Sequence, residues 1–426
     1  MKLITVLGFA AAFLLTAALI VLLRPLGARL GLLDHPGGRK DHAVPTPVTG
    51  GLAIALGAAA SIGVFGGPGT AGAPGLALAL AALLLTVVGL IDDRFDVRWY
   101  WRLGAQAVAG LILVYVGDVR VEQIGPVFGL SPVSLGVLSV PFTVLATVGL
   151  INALNMIDGL DGLAGLQVLA ALAMLAAASL YAGNTPLSSV LIISGGAVTG
   201  FLAFNLRTPW RKRAGVFLGN AGSAVLGLVI AWAAFRLTQN PSHPVSPVLA
   251  PFLIALPVID CLVLMVHRSR VHGRPFSADR NHLHHRLLCA GFRPGEIAAG
   301  LAALSLMIGF GAGLVRLAHA PQPLFLILYL AAVAFYAWVT ADDARAERLF
   351  KRLHAWLLAD NTPASPQESE PASGDQRPAV NKITPLKPAE LAPASRAPVT
   401  ASLPVASRAR LADTDAGEDE ARTVSL

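Results

Sequence analysis

The chain has 426 residues, of which 55% are hydrophobic and 13% charged, against about 25% charged in a soluble domain of ordinary composition. Charge-free runs alternate with short charged clusters, which excludes a soluble globular or wholly disordered chain and points to an all-α integral membrane protein. The formal charge of +7 sits in basic loops suited to anionic lipid or an anionic substrate; nothing suggests nucleic acid, and Cys261 and Cys289 alone give no disulfide framework.

Runs of about 17–25 apolar residues are long enough to cross a bilayer as helices. Eleven are predicted, at 3–23, 48–66, 74–91, 101–117, 134–151, 162–183, 186–204, 221–238, 247–267, 296–317 and 322–341. The first is a retained helix rather than a cleaved signal peptide, because its basic residues follow it and no small-residue cleavage site is evident. Lys and Arg then orient the chain by the positive-inside rule. With the N-terminus outside, the cytoplasmic segments hold Arg24, Arg29, Arg39 and Lys40; Arg94, Arg98 and Arg102; Arg207, Arg211, Lys212 and Arg213. Arg268, Arg270, Arg274, Arg280, Arg286 and Arg293 follow, then Arg345, Arg348, Lys351 and Arg352 on the cytoplasmic C-terminal side. The outside segments hold only Lys2, Arg120, Arg236 and Arg316.

Three units result. Residues 1–341 form the membrane domain. Over 342–358, Leu349, Phe350, Leu353, Trp356 and Leu357 recur at helical spacing opposite Arg and Lys, which predicts a helix lying in the cytoplasmic interface. Residues 359–426, rich in Pro, Ala and Ser without apolar periodicity, form a disordered cytoplasmic tail. Gly196 and Gly200 make a small-xxx-small pair that fits tight helix packing, either within one chain or in a homodimer.

Four cytoplasmic segments carry more polar chemistry than topology needs. In the first, Arg39, Lys40 and His42 follow Gly37-Gly38 and lead to Pro45-Thr46-Pro47-Val48-Thr49-Gly50-Gly51, where glycines let backbone amides approach an anion. An ordinary basic loop accounts for it equally well. In the second, Asp92 and Asp93 adjoin at the end of a span, near Asp96, Arg98 and Arg102. Two adjacent carboxylates at a membrane boundary are costly without a metal, a cation or a proton-transfer task; the plainer reading is a helix end held by arginine.

The third segment is Asn152-Ala153-Leu154-Asn155-Met156-Ile157-Asp158-Gly159-Leu160-Asp161-Gly162. The asparagines, three apart, share a helix face, and Asp158 and Asp161 follow on a glycine turn. Oxygen ligands of this type suit Mg²⁺, although a capped turn is the bland alternative. The fourth, Arg274-Pro275-Phe276-Ser277-Ala278-Asp279-Arg280-Asn281-His282-Leu283-His284-His285-Arg286, clusters His with Arg. Polyphosphate recognition fits it better than zinc, because abundant Arg repels a cation. A solvated basic loop is the alternative. Asp260, inside a span just after Pro257, is predicted to orient a neighbouring cation; a packing residue at a proline kink is the competing reading.

Arg-Lys-x-His…Pro-x-Pro-x-x-Gly-Gly, Asp-Asp, Asn-x-x-Asn-x-x-Asp-Gly-x-Asp-Gly-Leu and Pro-Phe-Ser-x-Asp-Arg-x-His-x-His-His, in this order, make residues 1–340 resemble a known family. It is the polyprenyl-phosphate N-acetylhexosamine-1-phosphate transferases of glycosyltransferase family 4. The closer branch is the WecA-like undecaprenyl-phosphate N-acetylglucosaminyl 1-phosphate transferases rather than the MraY branch. The resemblance implies transfer of a sugar 1-phosphate from a cytoplasmic UDP-N-acetyl sugar to undecaprenyl phosphate in the bacterial inner membrane. UMP is released, and Mg²⁺ or Mn²⁺ is required.

The resemblance also assigns roles. Asn155 ligates the metal, as does the residue at Asn220, where the family usually has Asp. Asp92 and Asp93 serve near the attacking lipid phosphate, and Asp158 and Asp161 shape the uridine and metal pocket within the same catalytic group. Arg39, Lys40, His42, Asn152, Arg102, Arg280, His282, His284 and His285 bind substrate. Asn220 keeps a carbonyl oxygen but loses the charge. Two other function classes remain open from sequence alone: a transporter, disfavoured because the polar groups lie on one face and not at the midplane, and an inactive relative that scaffolds glycan assembly.

Overall fold

The computed structural model describes residues 3–34, 44–67, 70, 72–129, 131–239, 245–272 and 282–359. The predicted binding residues Arg39, Lys40, His42 and Arg280 lie outside the described residues, as does the tail from 360 onward.

Among the described residues the apolar runs fold as helices: α1 Leu3–Arg29, α2 Gly50–Phe65, α3 Ala73–Phe95, α4 Trp99–Tyr115, α5 Ser139–Ile157, α6 Leu163–Tyr181, α7 Thr185–Asn205 and α8 Gly219–Thr238. There follow α9 Ala250–Leu253, α10 Ala255–His272, α11 Leu283–Cys289, α12 Pro294–Leu317, α13 Gln322–Thr340 and α14 Asp343–Ala359. Among the described residues eight helices are long and apolar enough to cross a membrane, and nine if α9 and α10, bent by 84°, are counted as one. The break has a covalent cause: Pro257 has no N–H to offer the carbonyl one turn back, and Ile254 leaves the helical region at φ −137°. The predicted runs 48–66 and 101–117 fold as α2 and α4, of 16 and 17 residues, at the short limit of a crossing helix.

Helix α8 is the axis of the bundle, with 89% of its apolar window buried against 22% for α1 and 17% for α13. Its neighbours approach to backbone distance because small residues meet there. A Cβ on Gly51 of α2 would strike the Gly222 backbone, one on Gly89 of α3 would strike Ala221, and one on Gly227 of α8 would fall 2.6 Å from the Ile151 Cα of α5. Such contacts replace the hydrophobic drive that lipid does not supply between helices. Gly196 and Gly200 do the same for α7, abutting the Phe9 and Phe13 carbonyls of α1 in the same chain. That pair therefore packs the monomer and lends a homodimer no support.

Some buried hydroxyls bond back to their own helix: Thr143 donates to the Ser139 carbonyl at 2.7 Å, and Thr147 to the Thr143 carbonyl at 2.8 Å, which satisfies both without water. At one end of the bundle, β1 Leu33–Asp34 pairs antiparallel with β2 Thr46–Pro47. The Phe217 N–H bonds the Pro47 carbonyl at 2.8 Å, and Gly50 and Gly51 donate to the Phe217 and Leu218 carbonyls at 3.0 and 2.9 Å. The segment leaving the hairpin is thus stitched to the start of α8.

Overpacking a tight helix crossing costs about 1–3 kcal/mol. Gly51→Ala should lower the thermal midpoint of the detergent-solubilised protein by several degrees, whereas Gly104→Ala, with open space around its Cα, should leave it unchanged. Equal midpoints for the two variants would contradict the close α2–α8 approach.

Candidate active site

The start of α8 gathers the acidic residues. Gly219, at φ +75°, turns the chain into α8, and a Cβ there would meet an Asp93 carboxylate oxygen 2.6 Å away. Asp93, delivered by α3, accepts from the Asn220 N–H at 2.8 Å and the Ala221 N–H at 3.4 Å. It therefore caps, from a different helix, the positive end of the α8 dipole. Asp92 turns inward instead: it is 3% exposed, pairs with Arg102 of α4 at 3.1 Å and accepts from the Val97 N–H at 3.1 Å. The Asp-Asp pair is thus divided between capping α8 and anchoring α4.

Helix α5 brings the asparagines. The Asn155 amide nitrogen donates to the Asn220 carbonyl oxygen at 2.9 Å and to the Ser223 hydroxyl at 3.0 Å, joining the two predicted metal ligands directly. Asn152, one turn back, donates to Gln106 of α4 at 2.6 Å and to the Val148 carbonyl at 2.8 Å. Asp161 accepts from Arg207 at 2.7 Å and from the Ala214 N–H at 3.1 Å. Asn205 bonds the Gly162 N–H at 2.7 Å and the Val216 carbonyl at 2.9 Å, tying the Asp-Gly turn to the loop before α8.

These residues open on one cleft of about 830 Å³, lined by Asp92, Asp93, Asn155, Asp158, Asp161, Asn220 and His285, with Asp34, Asp96, Arg94 and Arg207 at its walls. Asn152 and Arg102 line a small pocket that adjoins it through Asn155 and Asn220. Asp158 is exposed to the cleft solvent, yet protein crowds it on all other sides. That desolvation, together with the Asp93 and Asp161 charges, raises its carboxyl to about 7.

The histidines are less alike than their spacing suggests. His282 uses both ring nitrogens inside the protein: Nδ1 meets Asp260 at 2.9 Å and Nε2 meets Arg268 at 3.2 Å. Asp260 also accepts from the Tyr336 hydroxyl of α13 and from the Leu283 N–H at 3.3 Å. All three of Asp260, Arg268 and His282 are buried. Asp260 thus orients a cation through His282. His284, 2% exposed, stacks on His282 and has no hydrogen-bond partner for either ring nitrogen among the described residues. Its Nε2 rests over Gly159, where any side chain would collide with it. Burial, then the neighbouring His285 and His282, lowers its pKa to about 3, so the ring is neutral. His285 alone of the three lines the cleft.

The donor set can be tested against a divalent cation. Amide and carboxylate oxygens are hard donors of the kind Mg²⁺ and Mn²⁺ select. Asn155 and Asn220 stand side by side, and six carboxylates against two arginines at the cleft wall leave an excess of negative charge. Among the described residues no three His, Cys, Asp or Glu side chains form a ligand group. The site therefore suits an ion that keeps water and substrate phosphates in its shell, as Mg²⁺ does.

Gln106, Asn205, Arg207, Arg268 and Tyr336 belong to this assembly and carry no local motif. Asn205 is a buried amide at the end of α7 and Gln106 one in the middle of α4, a signal legible in retrospect. Tyr336 is recognisable only through its distant contact with Asp260.

Residues 75–238 match the family model described as glycosyl transferase family 4. The undecaprenyl-phosphate alpha-N-acetylglucosaminyl 1-phosphate transferase of Escherichia coli K12 is 32% identical over 344 residues, covering 80% of this chain and 92% of the relative. The enzyme of the same name from Salmonella typhimurium is 32% identical over 356 residues, covering 83% and 96%. That from Haemophilus influenzae is 32% identical over 275 residues, covering 64% and 76%.

Two outcomes follow from the histidine geometry. Tyr336→Phe removes a hydrogen bond to a buried carboxylate, worth about 1.5–3 kcal/mol, and Asp260→Ala should cost more, about 3–5 kcal/mol. Thermal midpoints in detergent should fall in that order; no loss in either variant would contradict the buried network. The folded pKa of His284 lies below its unfolded value of about 6.5, so the native state binds fewer protons. Its contribution is complete above about pH 6.5 and is lost as pH falls toward 3. Relative to His284→Gln, the native chain should therefore lose stability from pH 7.5 to 5, whereas the raised Asp158 carboxyl acts in the opposite direction in both; an unchanged difference between the two proteins across that range would show that His284 is not held neutral.

Proposed function

The chain belongs to glycosyl transferase family 4, and from that premise we propose that it transfers N-acetylglucosamine 1-phosphate from UDP-N-acetylglucosamine to undecaprenyl phosphate. The observation that carries the reading is the single cleft at the start of α8, which collects Asp92, Asp93, Asn155, Asp158, Asp161, Asn220 and His285 from four separate stretches of chain. In the reaction, a phosphate oxygen of the lipid attacks the sugar-bearing phosphorus of the nucleotide. The bond from that phosphorus to the bridging oxygen breaks, leaving undecaprenyl-diphospho-N-acetylglucosamine and UMP.

A lipid phosphate is already ionised near neutral pH, so the site has to align two anions and offset their repulsion more than remove a proton. An acid-lined cleft alone would repel a diphosphate. A divalent cation, held by the carbonyl oxygens of Asn155 and Asn220 beside the Asp93 carboxylate, supplies that neutralisation when bound. Asp93 holds the α8 start in place, and Asp92 fixes Arg102 at the cleft edge. Asp161 fixes Arg207, and His285 reaches the cleft from α11. Arg39, Lys40, His42 and Arg280 add basic charge for the nucleotide and lipid head.

The same reading orients the chain with its N-terminus outside and the cleft on the cytoplasmic face of the bacterial inner membrane. α2, α4 and the bent α9–α10 pair complete eleven crossings, and α14 lies in the cytoplasmic interface. The basic residues that follow the cleft-facing helix ends support this orientation.

The test is transfer of radiolabelled N-acetylglucosamine phosphate to undecaprenyl phosphate by purified protein with Mg²⁺ or Mn²⁺. Lipid-soluble label should form from UDP-N-acetylglucosamine, vanish with EDTA, and fall by at least about 100-fold in Asp92→Asn, as for loss of one preorganised charged group. Asn220→Asp should lower the Mg²⁺ concentration needed for half-maximal rate, because a charge is restored among the oxygen donors. No labelled lipid from any UDP-N-acetyl sugar, in either the native chain or Asn220→Asp, would overturn the reading.

A further inference from the structure

A second large space lies toward the other end of α8. It occupies about 560 Å³ between α2, α3, α7 and α8, within the roughly 300–1,000 Å³ typical of ligand pockets. Its walls are Ala, Val, Leu, Ile, Gly, Pro and Trp, with Thr70, Ser194 and Arg236 the polar exceptions. Ala59, Val64 and Ala79 on its rim are exposed, so it communicates with the surface of the bundle that faces lipid.

Arg236 is the feature that apolar packing does not explain. It sits sixteen residues beyond Asn220 on one continuous helix, about 24 Å away at 1.5 Å per residue. Its guanidinium lies 5.5 Å from the Trp232 ring centroid, and the Trp232 indole is itself fixed by donating to the Pro74 carbonyl at 3.0 Å. Among the described residues no carboxylate pairs with Arg236, whereas Arg120 pairs with Glu122 at 3.0 Å. A half-buried cation on an apolar membrane cavity is costly unless an anion meets it. The stacked ring orients the charge and leaves it unneutralised.

We propose that this cavity and Arg236 form a binding site for an anionic phospholipid of the leaflet opposite the cleft. One acyl chain fills the space between α2, α3, α7 and α8, and the lipid phosphate sits on the Arg236 guanidinium. The occupant is a bilayer phospholipid and not the lipid substrate, whose phosphate has to reach the cleft about 24 Å away along α8. The site does not depend on the reaction proposed above, and its test does not read catalysis.

The experiment is native mass spectrometry of the full chain in non-ionic detergent, titrated with dioleoyl phosphatidylglycerol or dioleoyl phosphatidylcholine. The native protein should retain phosphatidylglycerol about five-fold more than phosphatidylcholine, the worth of one basic side chain near a lipid phosphate. Arg236→Gln should abolish the preference, Arg236→Lys should keep it, and Ala58→Phe, which fills the cavity, should reduce retention of phosphatidylglycerol. Elution volume and melting curve verify that each variant is folded. Equal retention of the two lipids by the native protein, or a preference that survives Arg236→Gln, overturns the proposal. Displacement of phosphatidylglycerol by equimolar undecaprenyl phosphate also overturns it, by making the occupant a prenyl phosphate.

Discussion

The architecture depends on how closely α2, α3 and α5 approach α8. Within lipid, helices gain little from burying apolar surface against one another, so small residues that admit backbone contact decide which helices meet. Gly51, Gly89 and Gly227 provide that contact in the first half of α8. Because the contacts flank its first turn, they bring Asp93 and Asn155 onto that turn and leave the α8 amides to be capped by a carboxylate from another helix. A packing constraint inside the membrane thereby becomes a polar constellation at its edge.

The constellation carries more negative charge than its own arginines offset. Asp92 and Asp161 are matched by Arg102 and Arg207, while desolvation, then the nearby Asp93 and Asp161, raises the proton affinity of Asp158. Such an imbalance disfavours an anionic nucleotide and favours a hard cation that would accompany it. Asn220 fits this arrangement in a particular way: its carbonyl accepts from Asn155 while its backbone amide serves Asp93. The neutral side chain therefore holds this hydrogen-bond geometry while offering a cation a carbonyl oxygen without a charge.

Much of this was legible in the sequence for physical reasons. Hydropathy finds the long apolar helices among the described residues, and the clustering of Asp, Asn and His beyond what turns require singles out residues that line the cleft. What escaped is non-local or depends on length. The break between α9 and α10 needs the local backbone at Ile254, and α2 is shorter than the apolar run 48–66 that contains it. Spacing cannot separate His282, engaged on both nitrogens, from His285, which lines the cleft. Tyr336 lies 76 residues from Asp260, so no local pattern could pair them.

The central claim is that the α8 start holds a divalent cation through neutral and acidic oxygen donors. Electron paramagnetic resonance of Mn²⁺ titrated into the purified protein tests it without turnover. The account predicts one saturable Mn²⁺ site, tightened by UDP-N-acetylglucosamine and lost in Asn155→Ala. Mn²⁺ that stays free in the presence of the nucleotide, or that binds equally to Asn155→Ala, would contradict it.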